Sequence, residues 1–346
     1  SFYCYYLLTN NNEDRNLITQ APLVESDENE TEIDNYMEHI CHKKEEINLV
    51  YSGTGWVSDQ TPMNKSLSLE FTVPDIDIYE LGSLYLSLVA HSDKKSTGKI
   101  TFAGESSEIE FPLSGNGVSA MSSEKTITWL PSQEKNKLII SYLAINGTDN
   151  LWVEQIVLSA FRKLKMNDGI MYFRNPNTEA GGTYKYNIAG ATSKTMVWNI
   201  SDPQQVTSVR TENGEAGLSF RRKPTRMEEF VAFDPNSSKL VKAEAVGKIS
   251  NQDLHAIKDA DFIIISNEAF LSEAQRLAKI HQEHDHVTTA IVTPEEIYNE
   301  FSSGTPDASA IRWFLKMFYD RGEYNKQVLL FGDGSYDNRA ITRHNS

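Results

Sequence analysis

The chain has 346 residues and a formal net charge of −15, which is enough length for two or three domains with cores of their own. The negative net charge excludes a typical nucleic-acid-binding protein, which needs a basic surface. No stretch of the sequence is apolar enough to span a bilayer. The two cysteines, Cys4 and Cys41, fit either a disulfide or two free thiols. Residues 1–6 read as the middle of a strand without an initiator Met, so we expect a piece of a longer protein.

Short segments with a period of two fill the region from Ser1 to Lys165. Apolar and polar residues alternate in Leu84–Ser92, Lys125–Leu130 and Lys137–Ile145, and Gly, Pro, Asn and Ser separate such segments. This pattern predicts an N-terminal antiparallel β-sandwich, jelly-roll-like, as a domain spanning 1–165. Within it, the acidic stretch Asn10–Asp34 is expected to be an exposed loop.

The next region, residues 166–235, has further strand-like segments between the turn sequences Gly181-Gly182 and Asn213-Gly214. We interpret it as a small β subdomain. From Asn236 the pattern changes to alternating strands and helices, with a buried strand at Phe262–Ile265 and a second strand at Thr288–Val292. The region 236–346 is therefore expected to form a parallel α/β sheet with right-handed crossovers.

Two helices are expected between the strands of this region. Ser272 is placed to cap the first, with Leu277, Ala278 and Ile280 facing inward. Thr293 followed by Pro294 marks the start of the second, because Pro is tolerated at the first helical position.

A third helix leads into the most informative stretch of the chain. Thr305 and Pro306 are expected to start it and Gly322 to end it. Its apolar residues recur at helical spacing and predict a buried face: Ile311, Phe314, Leu315, Phe318 and Tyr319.

After this helix, Val328–Phe331 reads as a strand buried on both faces, and it stops at Gly332-Asp333-Gly334. Loops at the carboxyl ends of parallel strands hold the ligands of open α/β sheets, so Asp333, Gly332 and Gly334 are candidates for lining a cleft. The alternative is a tight turn stabilised by Asp333. The string 333–338, DGSYDN, also has oxygen ligands at alternating positions, as calcium loops do, but it lacks the downstream bidentate Glu. We expect no cofactor, and calcium bound at this string is the alternative.

Two long sequence segments, one before this loop and one containing it, resemble the gingipain-type cysteine peptidases. They are YNEFSSGTPDASAIRWFLKMFYDR at 298–321 and LLFGDGSYDNR at 329–339, and weaker similarity extends to EEFVAFDP at 228–235 and SNQDLH at 250–255. The resemblance is closest to the branch that serves as the sortase, or signal peptidase, of the Bacteroidetes type IX secretion system.

The resemblance implies a caspase-like α/β fold, of which 236–346 is the first part. It also implies cysteine-peptidase chemistry at the cell surface, with the C-terminal domains of cargo proteins and outer-membrane components of the secretion system as partners. The catalytic residues implied are a His followed by Gly and, later, a Cys, on strands that follow Phe331. None of the 346 residues matches that pair, so no catalytic residue is expected in this chain.

Two histidine-containing clusters offer weaker metal candidates. His281, His284 and His286 lie near a helix C-terminus, where histidines are favourable without a metal. His39, Cys41 and His42 lack the second ligand pair of a zinc site. We expect no metal at either.

A second hypothesis treats the chain as a non-catalytic carbohydrate- or protein-binding β-sandwich of the cell surface with a degenerate peptidase-like domain. Aromatic rows can stack on sugars, and four tryptophans occur in the β regions: Trp56, Trp129, Trp152 and Trp198. In strands of alternating pattern such residues more often belong to the core.

Overall fold

The computed structural model describes residues 17–51, 55–62, 64–114, 119–143, 149–178, 181–258, 260–322, 326–335 and 337. These residues divide into two compact units, the β unit within 16–243, to which Asp337 also belongs, and the α/β unit within 244–335. Among the described residues, no helix is both long and apolar enough to cross a membrane.

The β unit is built from strands that are mostly antiparallel, and the period of two predicts these strands. In chain order its strands are β1 Thr19–Gln20, β2 Thr31–Ile33, β3 Asn35–His42, β4 Ile47–Asn48, β5 Trp56–Pro62, β6 Ser66–Thr72, β7 Gly82–His91, β8 Ser96–Phe102, β9 Glu105–Phe111, β10 Met121–Trp129, β11 Lys135–Leu143, β12 Asn150–Lys163, β13 Ile170–Arg174, β14 Tyr184–Ala189, β15 Met196–Asn199, β16 Thr207–Val209, β17 Glu212–Asn213, β18 Gly217–Arg222 and β19 Glu229–Phe233.

Two facing sheets form the first core of the β unit. One has the order β10-β7-β12-β5-β4, with β3 also paired to β12, and the other has the order β6-β11-β8-β9. All of these pairs are antiparallel. Alternate residues point inward, so Leu84, Leu86 and Leu88 of β7 are fully buried. The predicted antiparallel sandwich is confirmed.

A second core lies between two smaller sheets, ordered β1-β16-β15-β19-β13 and β17-β18-β14-β2. Its centre is aromatic: the rings of Tyr186 and Phe220 stack at 4.8 Å, and Phe230 lies edge-on to both. Burial raises the pKa of Tyr186 to about 12, even though its hydroxyl donates a hydrogen bond to Thr178. The small β region is therefore a packed structure with a core of its own.

The described part of the N-terminal acidic stretch is mostly exposed and outside strands, as predicted, but it also contributes two short strands. In its described part, β1 pairs in parallel with β16 and β2 pairs in parallel with β14, so both strands join the sheets around the second core although they precede the first sandwich in the chain. Ile33 is buried there, and Arg221 binds Glu30 through two hydrogen bonds. Strand pairing and this ion pair offset the low hydrophobicity on which the prediction of a loop depended.

The α/β unit contains β20 Phe262–Ser266, α1 Leu271–His284, β21 Thr289–Val292, α2 Pro294–Phe301, α3 Ala308–Asp320 and β22 Gln327–Phe331. Its sheet has the order β21-β20-β22, and both pairs are parallel. The predicted alternation of strands and helices around a parallel sheet is confirmed.

Each face of this sheet packs on helices. Ile263 and Ile265 of β20 belong to one core with Phe314 and Phe318 of α3, while residues of the opposite face pack with α1. The details of two helices differ from prediction. Tyr319 of α3 and Ile280 of α1 are exposed, because each lies at the margin of its apolar face.

Two predicted helix starts are also wrong. The third helix begins at Ala308, because Asp307 has an extended backbone and its carboxylate accepts a hydrogen bond from the Ser309 N–H, which makes Asp307 the cap. The first begins at Leu271 after a 3-10 turn, Glu268–Phe270, that Asn267 caps, so Ser272 lies inside the helix. By contrast, Thr293 and Glu296 form the reciprocal capping box of α2, and Gly322 ends α3 with φ +87°.

Strand β22 is not buried on both faces as its apolar sequence predicts. Val328 and Leu330 are exposed, with Leu330 at 62%. The reason is position: within the described residues β22 pairs with β20 alone and is the edge of the sheet.

Candidate functional site

The three parallel strands of the α/β unit end at one edge of the sheet. Their last residues are Ser266, Val292 and Phe331, and the register aligns Ser266 with Phe331 and Ile265 with Val292. This carboxyl edge is where open α/β sheets bind ligands. It is the candidate active-site edge of this unit.

Two of the three strand ends are occupied by local structure. After β20, the Asn267 side chain accepts a hydrogen bond from the Ala269 N–H and starts the 3-10 turn. After β21, the Thr293 hydroxyl and the Glu296 carboxylate close the capping box. These polar groups already serve helix starts, so they are poorly placed to act on a substrate.

The third strand end carries the candidate cleft residues. Gly332 has φ +148°, a conformation that favours glycine, and a Cβ there would meet no atom within 4 Å. Asp333 follows it, is exposed, and accepts a hydrogen bond of 3.0 Å from the Gly334 N–H. The structure therefore places the Asp333 carboxylate at the open part of the carboxyl edge. Its role in a cleft stays a prediction.

A group that the sequence did not reveal lies at the opposite edge. Helix α2 starts at the carboxyl edge and runs back, which brings Glu300 to the segment that precedes β20. Its carboxylate accepts hydrogen bonds from Gln252 Nε2 at 2.9 Å and from the Leu254 N–H at 2.7 Å, and its second oxygen lies 2.7 Å from His255 Nδ1. We call Gln252, Leu254, His255 and Glu300 the amino-edge brace.

Electrostatics and packing favour a structural role for this brace. Burial alone would raise the pKa of Glu300, but the hydrogen bonds from Gln252, Leu254 and His255 outweigh burial and hold that pKa below its ordinary value. The His255 ring also stacks on Phe301 at 4.7 Å. The ionised carboxylate thus fastens the 252–255 segment to α2.

Asp253 joins this region as a potential metal ligand. Within the described part of the chain, one group of three potential ligands converges: Asp253, His255 and Glu300, whose ligand atoms lie within 4.8 Å of one another. Asp253 also caps the Leu254–Ala256 turn. The sequence word SNQDLH contained two of these residues, but nothing in it indicated Glu300, 45 positions further on.

The predicted histidine candidates do not converge into such a group among the described residues. His281 Nδ1 lies 2.5 Å from an oxygen of Asp285, one helical turn away, and its ring packs on Phe262. His284 ends α1 and His286 follows with φ +56°. Of the candidate calcium string 333–338, Tyr336 and Asn338 lie outside the described residues, so calcium there stays a prediction.

The cluster of His39, Cys41 and His42 is split by its strand. Successive side chains of β3 point to opposite faces, so His42 faces away from the other two. His42 Nε2 lies 2.7 Å from Asp59, whereas His39 Nδ1 lies 2.8 Å from the Ser159 hydroxyl. Cys41 is an exposed free thiol, and Cys4 lies outside the described residues.

Three of the four tryptophans in the β regions are core residues: Trp56, Trp129 and Trp152 are each at most 7% exposed. Trp198 is half-buried and lies edge-on to Phe233. An exposed row of these rings for sugar stacking is therefore not formed.

Comparison with known proteins places these features in a family context. Residues 255–345 match the profile of Peptidase family C25. None of the curated protein sequences matches the chain. Among solved structures, dimeric latent PorU from Porphyromonas gingivalis is similar with a TM-score of 0.77 and 23% identity, over 94% of this chain and 32% of that chain.

A carbohydrate-binding CBM36-1 domain of a multidomain xylanase, from the hindgut metagenome of Trinervitermes trinervoides, has a TM-score of 0.25 and 11% identity. It covers 35% of this chain and 96% of its own, and so weak a likeness supports no argument. The chain spans about a third of the length of the PorU chain that it matches. Residues 255–345 therefore carry the sequence pattern of Peptidase family C25, the gingipain family, on a chain that shares its fold with part of PorU.

Proposed function

We propose that this chain is part of a gingipain-like cysteine endopeptidase that acts as a type IX secretion sortase. The parent protein would remove the C-terminal targeting domains of secreted cargo. The observation that carries the proposal is the family C25 match over 255–345, which coincides with a parallel sheet and its open carboxyl edge at Asp333. The fold shared with PorU supports the same reading for the rest of the chain.

The nucleophile of this chemistry would not be a cysteine of this chain. Cys41 lies on a strand of the β unit, where Gln155 Nε2 approaches its sulfur at 3.6 Å, and not in the unit that carries the family match. The resemblance instead implies a Cys and a His-Gly pair on strands that follow β22. The His would take the thiol proton, and the thiolate would attack the scissile carbonyl. The peptide C–N bond would then break as the His returns the proton to the departing amine, which leaves an acyl-enzyme.

Release of the cargo requires a second acceptor for the acyl group. Water gives hydrolysis, and an amine of a surface anchor gives transfer. Both routes use the same acyl-enzyme, so the residues of this chain would serve either route. Asp333, next to the strands that would carry the dyad, is placed to orient a catalytic group or to hold its own loop.

The setting of the proposed enzyme follows from the same resemblance. We place it at the cell surface, associated with outer-membrane components of the secretion system, with cargo C-terminal domains as substrates. The alternative of a sugar-binding surface protein lacks a supporting observation, because Trp56, Trp129 and Trp152 are buried.

Cargo processing by the parent protein tests the proposal. The polypeptide that contains this chain and the sequence after it should cut a cargo protein before its C-terminal domain, and a thiol alkylator should block the cut. Cys41→Ala is the matched control and should process cargo normally. The 346-residue chain alone should cut nothing, and thiol-dependent cutting by that chain, abolished by Cys41→Ala, would overturn the assignment.

A further inference from the structure

One end of the first β-sandwich contains a cluster of buried polar side chains that the proposed peptidase chemistry does not use. It lies where strands of both sheets end: after β7, at the start of β8, after β9, near the end of β11 and just before β12. Each member is at most 6% exposed. We call this set the polar end cluster: Ser92, Ser96, Ser114, Tyr142 and Asp149.

The hydrogen bonds of this cluster leave one oxygen of the Asp149 carboxylate without a donor among the described residues. The Ser92 hydroxyl donates to Asp149 Oδ2 at 2.8 Å, and the Tyr142 hydroxyl donates to Ser96 at 3.0 Å. The Ser114 hydroxyl lies 3.5 Å from the Ala90 carbonyl. Asp149 Oδ1 is buried and has no hydrogen-bond partner among the described residues.

No cationic side chain of the described residues pairs with Asp149. Of the ion pairs formed by the described residues, none includes Asp149. Its negative charge even contributes to the raised pKa of Tyr142, after the larger effect of burial. A buried carboxylate without a compensating charge is costly, and native proteins pair such groups or bind a metal with them.

The neighbouring atoms suit a cation of one chemical type. Ser92 Oγ, Ser114 Oγ and the Asp149 carboxylate are all potential oxygen ligands. Ser92 links the other two residues, because its hydroxyl donates to Asp149 Oδ2 and its N–H donates to Ser114 Oγ at 3.4 Å. Hard cations such as Ca²⁺ take oxygen ligands, including carboxylates, carbonyls and water. No nitrogen or sulfur side chain belongs to the cluster, which disfavours zinc.

We propose that the polar end cluster binds a hard metal cation through Asp149, with Ca²⁺ as the probe that fits its ligands best. The cation offsets the buried charge and ties the ends of the two sheets together. The site is independent of the proposed peptidase function, because it lies in the first sandwich of the β unit.

Terbium luminescence and thermal unfolding of the 346-residue chain test this site. Tb³⁺ replaces Ca²⁺ and is sensitised by nearby tyrosine, so the chain should bind one sensitised Tb³⁺ that Ca²⁺ displaces. After EDTA treatment, saturating Ca²⁺ should raise the Tm by roughly 5 °C or more. Na⁺ at the same ionic strength is the comparison arm, and a larger effect of Na⁺ alone would reassign the cation and overturn the Ca²⁺ proposal.

Asp149→Asn is the decisive variant. It keeps the shape of the side chain and removes its charge. The Tm of this variant should therefore not respond to Ca²⁺, and it should be no lower than the Tm of the metal-free unsubstituted chain. Asp93 is an exposed acid next to Ser92 in the chain, so Asp93→Asn is the matched control. Its Tm should respond to Ca²⁺ as that of the unsubstituted chain does. If Asp149→Asn fails to fold, Ser92→Ala should still fold and bind Tb³⁺ at least tenfold more weakly.

Two results would overturn the proposal. One is a metal-free chain whose Tm does not respond to Ca²⁺, which would leave the cluster to a buried water molecule. The other is an unchanged Tb³⁺ signal in Asp149→Asn or Ser92→Ala, which would place the cation elsewhere.

Discussion

At the scale of single residues, Glu300 is the side chain with the clearest structural task. Its carboxylate accepts two hydrogen bonds besides its pairing with His255, and its side chain is 13% exposed. Glu300→Gln removes the charge and one acceptor, so we expect a loss of about 1–3 kcal/mol in the free energy of unfolding. Asp285→Asn, at the more exposed pair with His281, is the control and should cost about 1 kcal/mol or less.

The same carboxylate predicts a dependence on pH. Because the pKa of Glu300 is lower in the folded than in the unfolded state, its contribution is fully present above the ordinary Glu pKa of 4.5. It is lost as the pH falls through the lowered folded-state pKa. The free energies of unfolding of the unsubstituted chain and of Glu300→Gln, measured with denaturant, should therefore converge as the pH falls below 4.5. A difference between them that stays constant with pH would contradict the role of the ionised carboxylate.

Asp333 is the residue of this chain for which we predict a role at the active-site edge. In the parent protein, Asp333→Asn keeps the hydrogen-bonding shape of the turn and removes the charge. If the carboxylate serves the active-site edge, the turnover of cargo should fall at least tenfold while the Tm changes little. If the variant has both the Tm and the cargo-processing rate of the unsubstituted protein, Asp333 is only a turn residue.

At the scale of elements, α3 anchors one face of the parallel sheet. Phe314 is fully buried against Phe301 and Phe318, whereas its neighbour Trp313 is 51% exposed. Phe314→Ala should destabilise the α/β unit by about 3–5 kcal/mol, and Trp313→Ala by less than about 1 kcal/mol. Urea unfolding followed by circular dichroism at 222 nm compares the two, and similar losses would mean that α3 does not pack as described.

The elements also show what local sequence can predict. Alternation along β7 and helical spacing along α3 are local, so both elements are visible from their own residues. The strands β1 and β2 have two and three residues, and they pair with strands more than 150 positions away. No local pattern records such pairs. The amino-edge brace was missed for the same reason, since Gln252 and Glu300 meet only after α2 has folded back.

At the scale of the whole molecule, β22 has a consequence for solubility, because its second edge is unpaired among the described residues. An exposed apolar strand edge is a template for pairing with another chain. We predict that residues 244–335, expressed alone, self-associate, and that Leu330→Lys reduces the association. Analytical ultracentrifugation measures this, with Tyr319→Lys, an exposed position on α3, as the control. The prediction would be contradicted if the unsubstituted segment 244–335 were monodisperse and unfolded cooperatively.

The proposed function requires that β22 be an inner strand of a larger peptidase sheet in the parent protein. Hydrogen exchange of the peptide covering residues 326–331 tests it most directly, because alternate amides of a parallel strand face each neighbour. In the 346-residue chain the amides facing away from β20 should exchange within seconds. In the parent protein they should be protected for at least a hundredfold longer, whereas equally fast exchange in both would contradict the claim.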